Sequence, residues 1–113
     1  MIMAHSAGAS VVAHIAHEYP FMARLLLTNP AVDLDFEQFI RGLQEFGGNK
    51  ITVVIGDQDH AMAKLDEIVK IDESSRFRTI ILEAIDHDFS GDVGMQLFLR
   101  APHAHLFSAG IYF

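Results

Sequence analysis

The sequence predicts an α/β fold with three layers: a mostly parallel sheet of about four strands, with flanking helices on both faces. Apolar, β-rich runs of strand length alternate along it with segments of helical periodicity. Polar, turn-forming clusters directly follow three of those runs. Successive strands separated by helices pair in parallel, because a parallel connection needs a crossover.

Met1 to Ala4 is a short apolar stretch that ends in His5-Ser6-Ala7-Gly8. Ala9 to Tyr19 follows as a helical pattern with Val12, Ile15 and Ala16 on one side, and Pro20 is its stop. Arg24 to Thr28 is a compact apolar run closed by Asn29-Pro30, which suits a buried parallel strand. Phe36, Phe39, Ile40, Leu43 and Phe46 then recur at helical spacing. Asp35, with Gln38 three residues on, caps that helix, and Gly47-Gly48 ends it. Ile51 to Ile55 is the clearest strand, β-branched throughout, and leads into Gly56-Asp57-Gln58-Asp59. Met62, Leu65, Ile68 and Val69 mark a further amphipathic helix. Arg78 to Leu82 is the next β-rich run and ends in Asp86-His87-Asp88-Phe89-Ser90-Gly91. Val93 to Leu99 begins a last helical segment that Pro102 interrupts.

Composition excludes several classes of function. The 113 residues suffice for a single core, and half of them are hydrophobic. A formal charge of -7, with basic residues scattered singly, opposes binding to nucleic-acid phosphates or anionic membranes. Without cysteine there is no disulfide, thiolate metal site or Cys nucleophile. No charged leader opens the sequence, and no apolar run approaches the roughly 20 residues of a membrane span. A soluble, cytoplasmic protein is expected.

In a parallel sheet the ligand site lies beyond the carboxyl ends of the strands. The three polar clusters therefore converge on one edge. Ala4-His5-Ser6-Ala7-Gly8 makes a tight strand-to-helix turn, with small residues two places either side of Ser6 where the backbones approach closely. Such a turn presents the Ser6 hydroxyl at a helix N-terminus, where the Ala7 amide can stabilise an oxyanion. Ser6 also fits a plain helix cap, and so does Asp59 in its own loop. His87, at a strand end among carboxylates, suits a general base. The other histidines read as surface or helix residues. A serine hydroxyl needs an imidazole to take its proton and a carboxylate to orient that imidazole. Ser6, Asp59 and His87 come in the order nucleophile, acid and base, each after a successive strand.

That order, with the small-x-Ser-x-small elbow and the apolar-run-Gly-x-x-Asp motif of Ile51 to Asp59, resembles the α/β-hydrolase superfamily from its fifth strand onward. The likeness runs from Met1 to Leu99, with Leu25 to Pro30 similar to strand six and Ile80 to Gly91 similar to strand eight and its histidine loop. It implies a truncated α/β-hydrolase domain with Ser6 as nucleophile, Asp59 as acid and His87 as base, and with Asp57 as the alternative acid. On this resemblance 1–30 holds the nucleophile elbow, its helix and the next strand, and 31–50 a short cap-region helix. Residues 51–99 hold the acid and histidine loops with their strands and helices, and 100–113 a C-terminal tail. The implied activity is hydrolysis of a small-molecule carboxylic ester or thioester through an acyl-serine.

Two departures from the family matter. Ala4 stands where the elbow's first glycine falls, and nothing corresponds to the family's first four strands or to the loop that gives its second oxyanion donor. Losing such a donor costs roughly 10²–10³ in turnover, so an isolated fragment is expected to be weak or inactive. An apolar first strand would then lie exposed, and self-association or pairing with a separate N-terminal half is expected. The alternative function is accordingly a non-catalytic module that docks through that strand. Asp57, Asp59, Asp86, His87 and Asp88 would also suit a divalent cation. The serine elbow has no part in that reading, so neither a metal nor a cofactor is expected. Phe36, Phe39 and Phe46 read as core in preference to an acyl pocket.

Overall fold

The computed structural model describes residues 1–71, 76–100 and 111–112. Four strands, β1 (Ile2–His5), β2 (Arg24–Thr28), β3 (Lys50–Gly56) and β4 (Phe77–Leu82), lie side by side in that order and run parallel. A two-residue strand, β5 (Ile111–Tyr112), adds antiparallel to β4. Four α-helices flank the sheet: α1 (Ala7–Ile15), α2 (Phe36–Glu45), α3 (Leu65–Val69) and α4 (Gly91–Arg100). The fold is the three-layer, mostly parallel α/β arrangement the sequence predicts. None of the described helices is long and apolar enough to cross a membrane.

Alternation along each strand divides the apolar residues between two faces. Leu25, Leu27, Ile51, Val53, Ile55 and Ile81 pack with residues of α1, α2 and α3. Leu26, Val54, Ile80 and Leu82 face the other way, toward Ile85, Phe89 and the α4 residues Leu97 and Phe98. With both faces covered, the strands can be apolar almost continuously, which is why β2 and β3 read as unbroken runs.

Local chemistry sets the helices. Asp35 caps α2 by accepting from the Gln38 amide (3.3 Å), as the sequence predicts. Phe39 and Leu43 of that helix are fully buried, as is Phe46 just beyond it, so these phenyl rings are core. The predicted helix over Ala9 to Tyr19 is shorter and differently faced. It begins at Ala7, gives way to a 3₁₀ turn over Ala16–Glu18, and buries Ala9, Ala13 and Ala16 while Ile15 is exposed. The cause is α2. A Cβ on Gly42 would lie 2.0 Å from the Ala13 carbonyl oxygen, so the two helices approach too closely for branched side chains at their contact. The predicted helix over Met62 to Val69 starts with a 3₁₀ turn at His60–Lys64 before α3. The last helix opens at Gly91, and Pro102 and most of the predicted 100–113 tail lie outside the described residues.

The Gly42 contact carries a prediction. In an exposed helix an alanine would be better than glycine by about 1 kcal/mol. Here overpacking against backbone outweighs that gain, and Gly42→Ala is expected to lower stability by roughly 1–3 kcal/mol in urea unfolding. An unchanged or higher midpoint would show that the helices separate freely.

Candidate active site

Ser6 leaves β1 and enters α1 through a turn in which its own φ is positive (φ 57°, ψ -125°). For a non-glycine residue that conformation costs on the order of 1–2 kcal/mol. It is held by hydrogen bonds on both sides: the Ser6 amide donates to Thr28 O (3.0 Å), and Ser6 O accepts from the Ala31 amide (3.1 Å). Ser6 occupies the N-cap of α1, yet its side chain makes no capping bond. Its hydroxyl instead donates to His87 Nε2 (2.7 Å), across 81 residues of chain. Ala7, the next residue, opens the helix.

Asp59 follows β3 and does two jobs at once. Its Oδ2 accepts from the Ala61 amide (2.8 Å) and so caps the 3₁₀ turn, while its Oδ1 accepts from His87 Nδ1. The carboxylate is almost wholly buried, at 1 % side-chain exposure against 38 % for His87. The imidazole is thus anchored at a dry carboxylate and open to solvent on its other side. Ser6, His87 and Asp59 form one continuous hydrogen-bonded chain. Asp57, the alternative acid, is not part of it: its Oδ1 accepts from the Ala84 amide (2.9 Å) and closes the turn after β4.

From the sequence Asn29 reads only as the close of β2; in the structure it ties these loops together. It is fully buried, with a left-handed backbone (φ 43°). Its Oδ1 accepts from the Gly56 amide (2.8 Å), and its Nδ2 donates to the carbonyls of Asp86 (3.1 Å) and His87 (3.0 Å). Both N–H donors and one lone pair of the oxygen are used. Gly56 is required beside it, because a Cβ there would lie 2.3 Å from the Ile85 carbonyl oxygen. The histidine loop is further shaped by Ser90, whose amide donates to Asp86 Oδ1 (2.8 Å) and holds that carboxyl below the usual carboxylate range.

His5 is a correction to the sequence reading of the remaining histidines as surface or helix residues. It ends β1, is half-buried, and sets its ring 5.3 Å from that of His87, with Phe89 and Phe98 at its edges. Its Nδ1 is 2.9 Å from Thr28 Oγ1. Burial, and then the neighbouring His87, hold its pKa below the ordinary histidine value, against the pull of Asp88 and Asp59. The signal in the sequence was its place: the residue before an elbow serine must lie in the strand end.

Of the five residues that would suit a cation, Asp57, Asp59 and Asp86 accept from the backbone amides of Ala84, Ala61 and Ser90 and are not among the side chains that gather within ligating distance of one another. Among the described residues the ligating side chains that do gather are His5, His87 and Asp88. The chain matches no protein-family model and no curated protein sequence.

The clamp made by Asn29 is testable without a substrate. Asn29→Gly keeps the left-handed backbone accessible but strands the buried Gly56 amide and frees the His87 loop. A stability loss of about 1–3 kcal/mol is expected in urea unfolding. Asn29→Ala should cost roughly 1–2 kcal/mol more, from backbone strain. Wild-type stability in both variants would show that the clamp contributes nothing.

Proposed function

We propose that this protein is a serine hydrolase of the α/β-hydrolase type that cleaves a carboxylic ester or thioester through an acyl-serine intermediate. One observation carries the reading: the hydroxyl of Ser6, at the N-terminus of α1, is turned away from the helix it would cap and onto His87 Nε2. A structural serine at that position would cap; a nucleophile must face its base.

The geometry supports the following course of reaction. Ser6 Oγ attacks the substrate carbonyl as its proton passes to His87 Nε2. Asp59, holding the Nδ1 proton, keeps the ring in the required tautomer and stabilises the imidazolium. The negative charge that develops on the carbonyl oxygen meets the Ala7 amide at the positive end of α1. His87 then returns the proton to the departing alcohol or thiol, leaving an acyl group on Ser6. A water molecule, deprotonated by the same nitrogen, releases the acid. The half-exposed ring of His87 gives solvent and substrate access to this step.

A second reading is favoured by the open side of β1. This strand lies at the edge of the sheet, beside an apolar groove of about 230 Å³ lined by Ile2, Val12, Ile15, Ala16, Tyr19 and Met22. Met1 and Phe21 stand exposed as well. An uncapped edge next to such a surface favours docking, to a second copy or to an N-terminal-half partner. The two readings are compatible, since the edge and the Ser6–His87 pair are separate features.

A fluorophosphonate probe tests the first reading. It should label Ser6 of the folded chain stoichiometrically, with no labelling in Ser6→Ala. Asp59→Asn should slow the reaction by on the order of 10³–10⁴, through loss of the productive tautomer. No adduct on folded wild-type protein would rule out a working nucleophile. For the second, sedimentation velocity should reveal association that Phe21→Glu weakens roughly 10- to 100-fold, the value of one buried aromatic side chain. A strictly monomeric chain would exclude the second-copy form.

A further inference from the structure

We propose that His5, His87 and Asp88 form a Zn²⁺ site whose occupation silences Ser6. The silencing rests on the serine-hydrolase reading; the metal site itself does not.

The three side chains come from different places, His5 from the end of β1 and His87 with Asp88 from the loop after β4. Each offers a ligand atom within 4.8 Å of the other two. Hydrogen bonding decides which nitrogens are available. Thr28 Oγ1 lies 2.9 Å from His5 Nδ1 and 3.4 Å from Ala4 O; when the hydroxyl donates to Ala4 O, it accepts from His5 Nδ1. His87 Nδ1 donates to the buried Asp59 carboxylate. In that arrangement both imidazoles carry the proton on Nδ1, which leaves Nε2 of each as the lone pair for a metal. A metal-binding histidine is usually held in this way, its outer nitrogen donating to an oxygen that orients the ring.

Two imidazole nitrogens and one carboxylate oxygen suit Zn²⁺, which takes such ligands at about 2.0–2.2 Å and tolerates an open fourth position. Tetrahedral coordination at that radius brings ligands to within roughly 3.5 Å of each other. The present spacing must shorten a little. Asp88 is exposed and able to swing inward. His87 meanwhile reaches the site with the one nitrogen that now accepts the Ser6 proton at 2.7 Å. One lone pair cannot serve both. Zinc on His87 Nε2 removes the base from Ser6, and release of zinc restores it.

The closing experiment uses the full chain after chelator treatment. Titration calorimetry with ZnCl₂ should give one equivalent of binding. Affinity should fall more than about tenfold, the loss caused even by an outer-shell partner, in both His5→Asn and Asp88→Asn. Asp88 is exposed, so its variant guards against a folding defect in the other, and circular dichroism checks both. In parallel, zinc should suppress fluorophosphonate labelling of Ser6 in the wild type, EDTA should restore it, and the two variants should need correspondingly more zinc. Absence of stoichiometric binding, or binding equally tight in both variants, overturns the site. Binding that follows the variants while labelling ignores zinc overturns the silencing. Variant-sensitive binding in a chain that never labels, even zinc-free, upholds the metal site and fells the hydrolase reading instead.

Discussion

The carboxamide of Asn29 makes three hydrogen bonds, and each of them crosses to another element. Its oxygen is fixed to the end of β3, and its nitrogen to the backbone of the loop that carries His87. The Asn29 amide itself continues the ladder onto Val54 O (2.8 Å). Geometry at Ser6 depends on this residue indirectly, through the loop that carries His87. The serine is set by its own turn and by Thr28, and the histidine by a loop of irregular backbone that the Asn29 side chain ties to the sheet. The Gln58 amide donating to Ile85 O (3.1 Å) and the Asp57 carboxylate accepting from the Ala84 amide (2.9 Å) tie it as well. In a buried setting such a group is either fully bonded or very costly, which makes it a stiff connector.

The same edge of the sheet concentrates backbone strain. Ser6, Asn29, Ala84 and Phe89 all have positive φ without being glycine, and all lie in the loops that follow strands β1, β2 and β4. Conformations of this kind persist only where the surroundings over-determine them. Here the surroundings are the parallel ladder beneath and the two apolar clusters on either side of it. The regular part of the molecule is relaxed, and the irregular part is held open against its preferences at the place where polar side chains meet.

Much of this was legible in the residues. The runs at Leu25 to Thr28 and Ile51 to Ile55 announce buried strands because both their faces are covered, and the Asp35–Gln38 cap is written in two letters. Ser6, Asp59 and His87 were visible as polar residues directly after strands, and parallel pairing explains why they meet. What stayed hidden depends on distances between elements. The α1 face could not be read because Ala13 is selected by a glycine 29 positions later, and Val12 and Ile15 make the more conspicuous stripe. Asn29 looked like punctuation before Pro30, since a turn residue and a clamp have the same letter. His5 was lost among seven histidines, because nothing local says that its ring will lie against another one. Asp57 and Asp59 were separable only once their partners, Ala84 and His87, were in view.

The separation of Ser6 from His87 by 81 residues has a consequence for how the molecule comes into being. Synthesis delivers the Ser6 turn well before the imidazole of His87, and parallel strands with distant partners are slow to pair. Any chain halted before residue 87 can possess β1 to β4 and the core beneath α1, α2 and α3, yet it lacks Phe89, Leu97 and Phe98 on the other face and the imidazole that meets Ser6. The hydrogen-bonded chain from Ser6 to Asp59 is thereby a late acquisition: the growing polypeptide passes through its partly exposed stages with the Ser6 hydroxyl not yet bonded to His87.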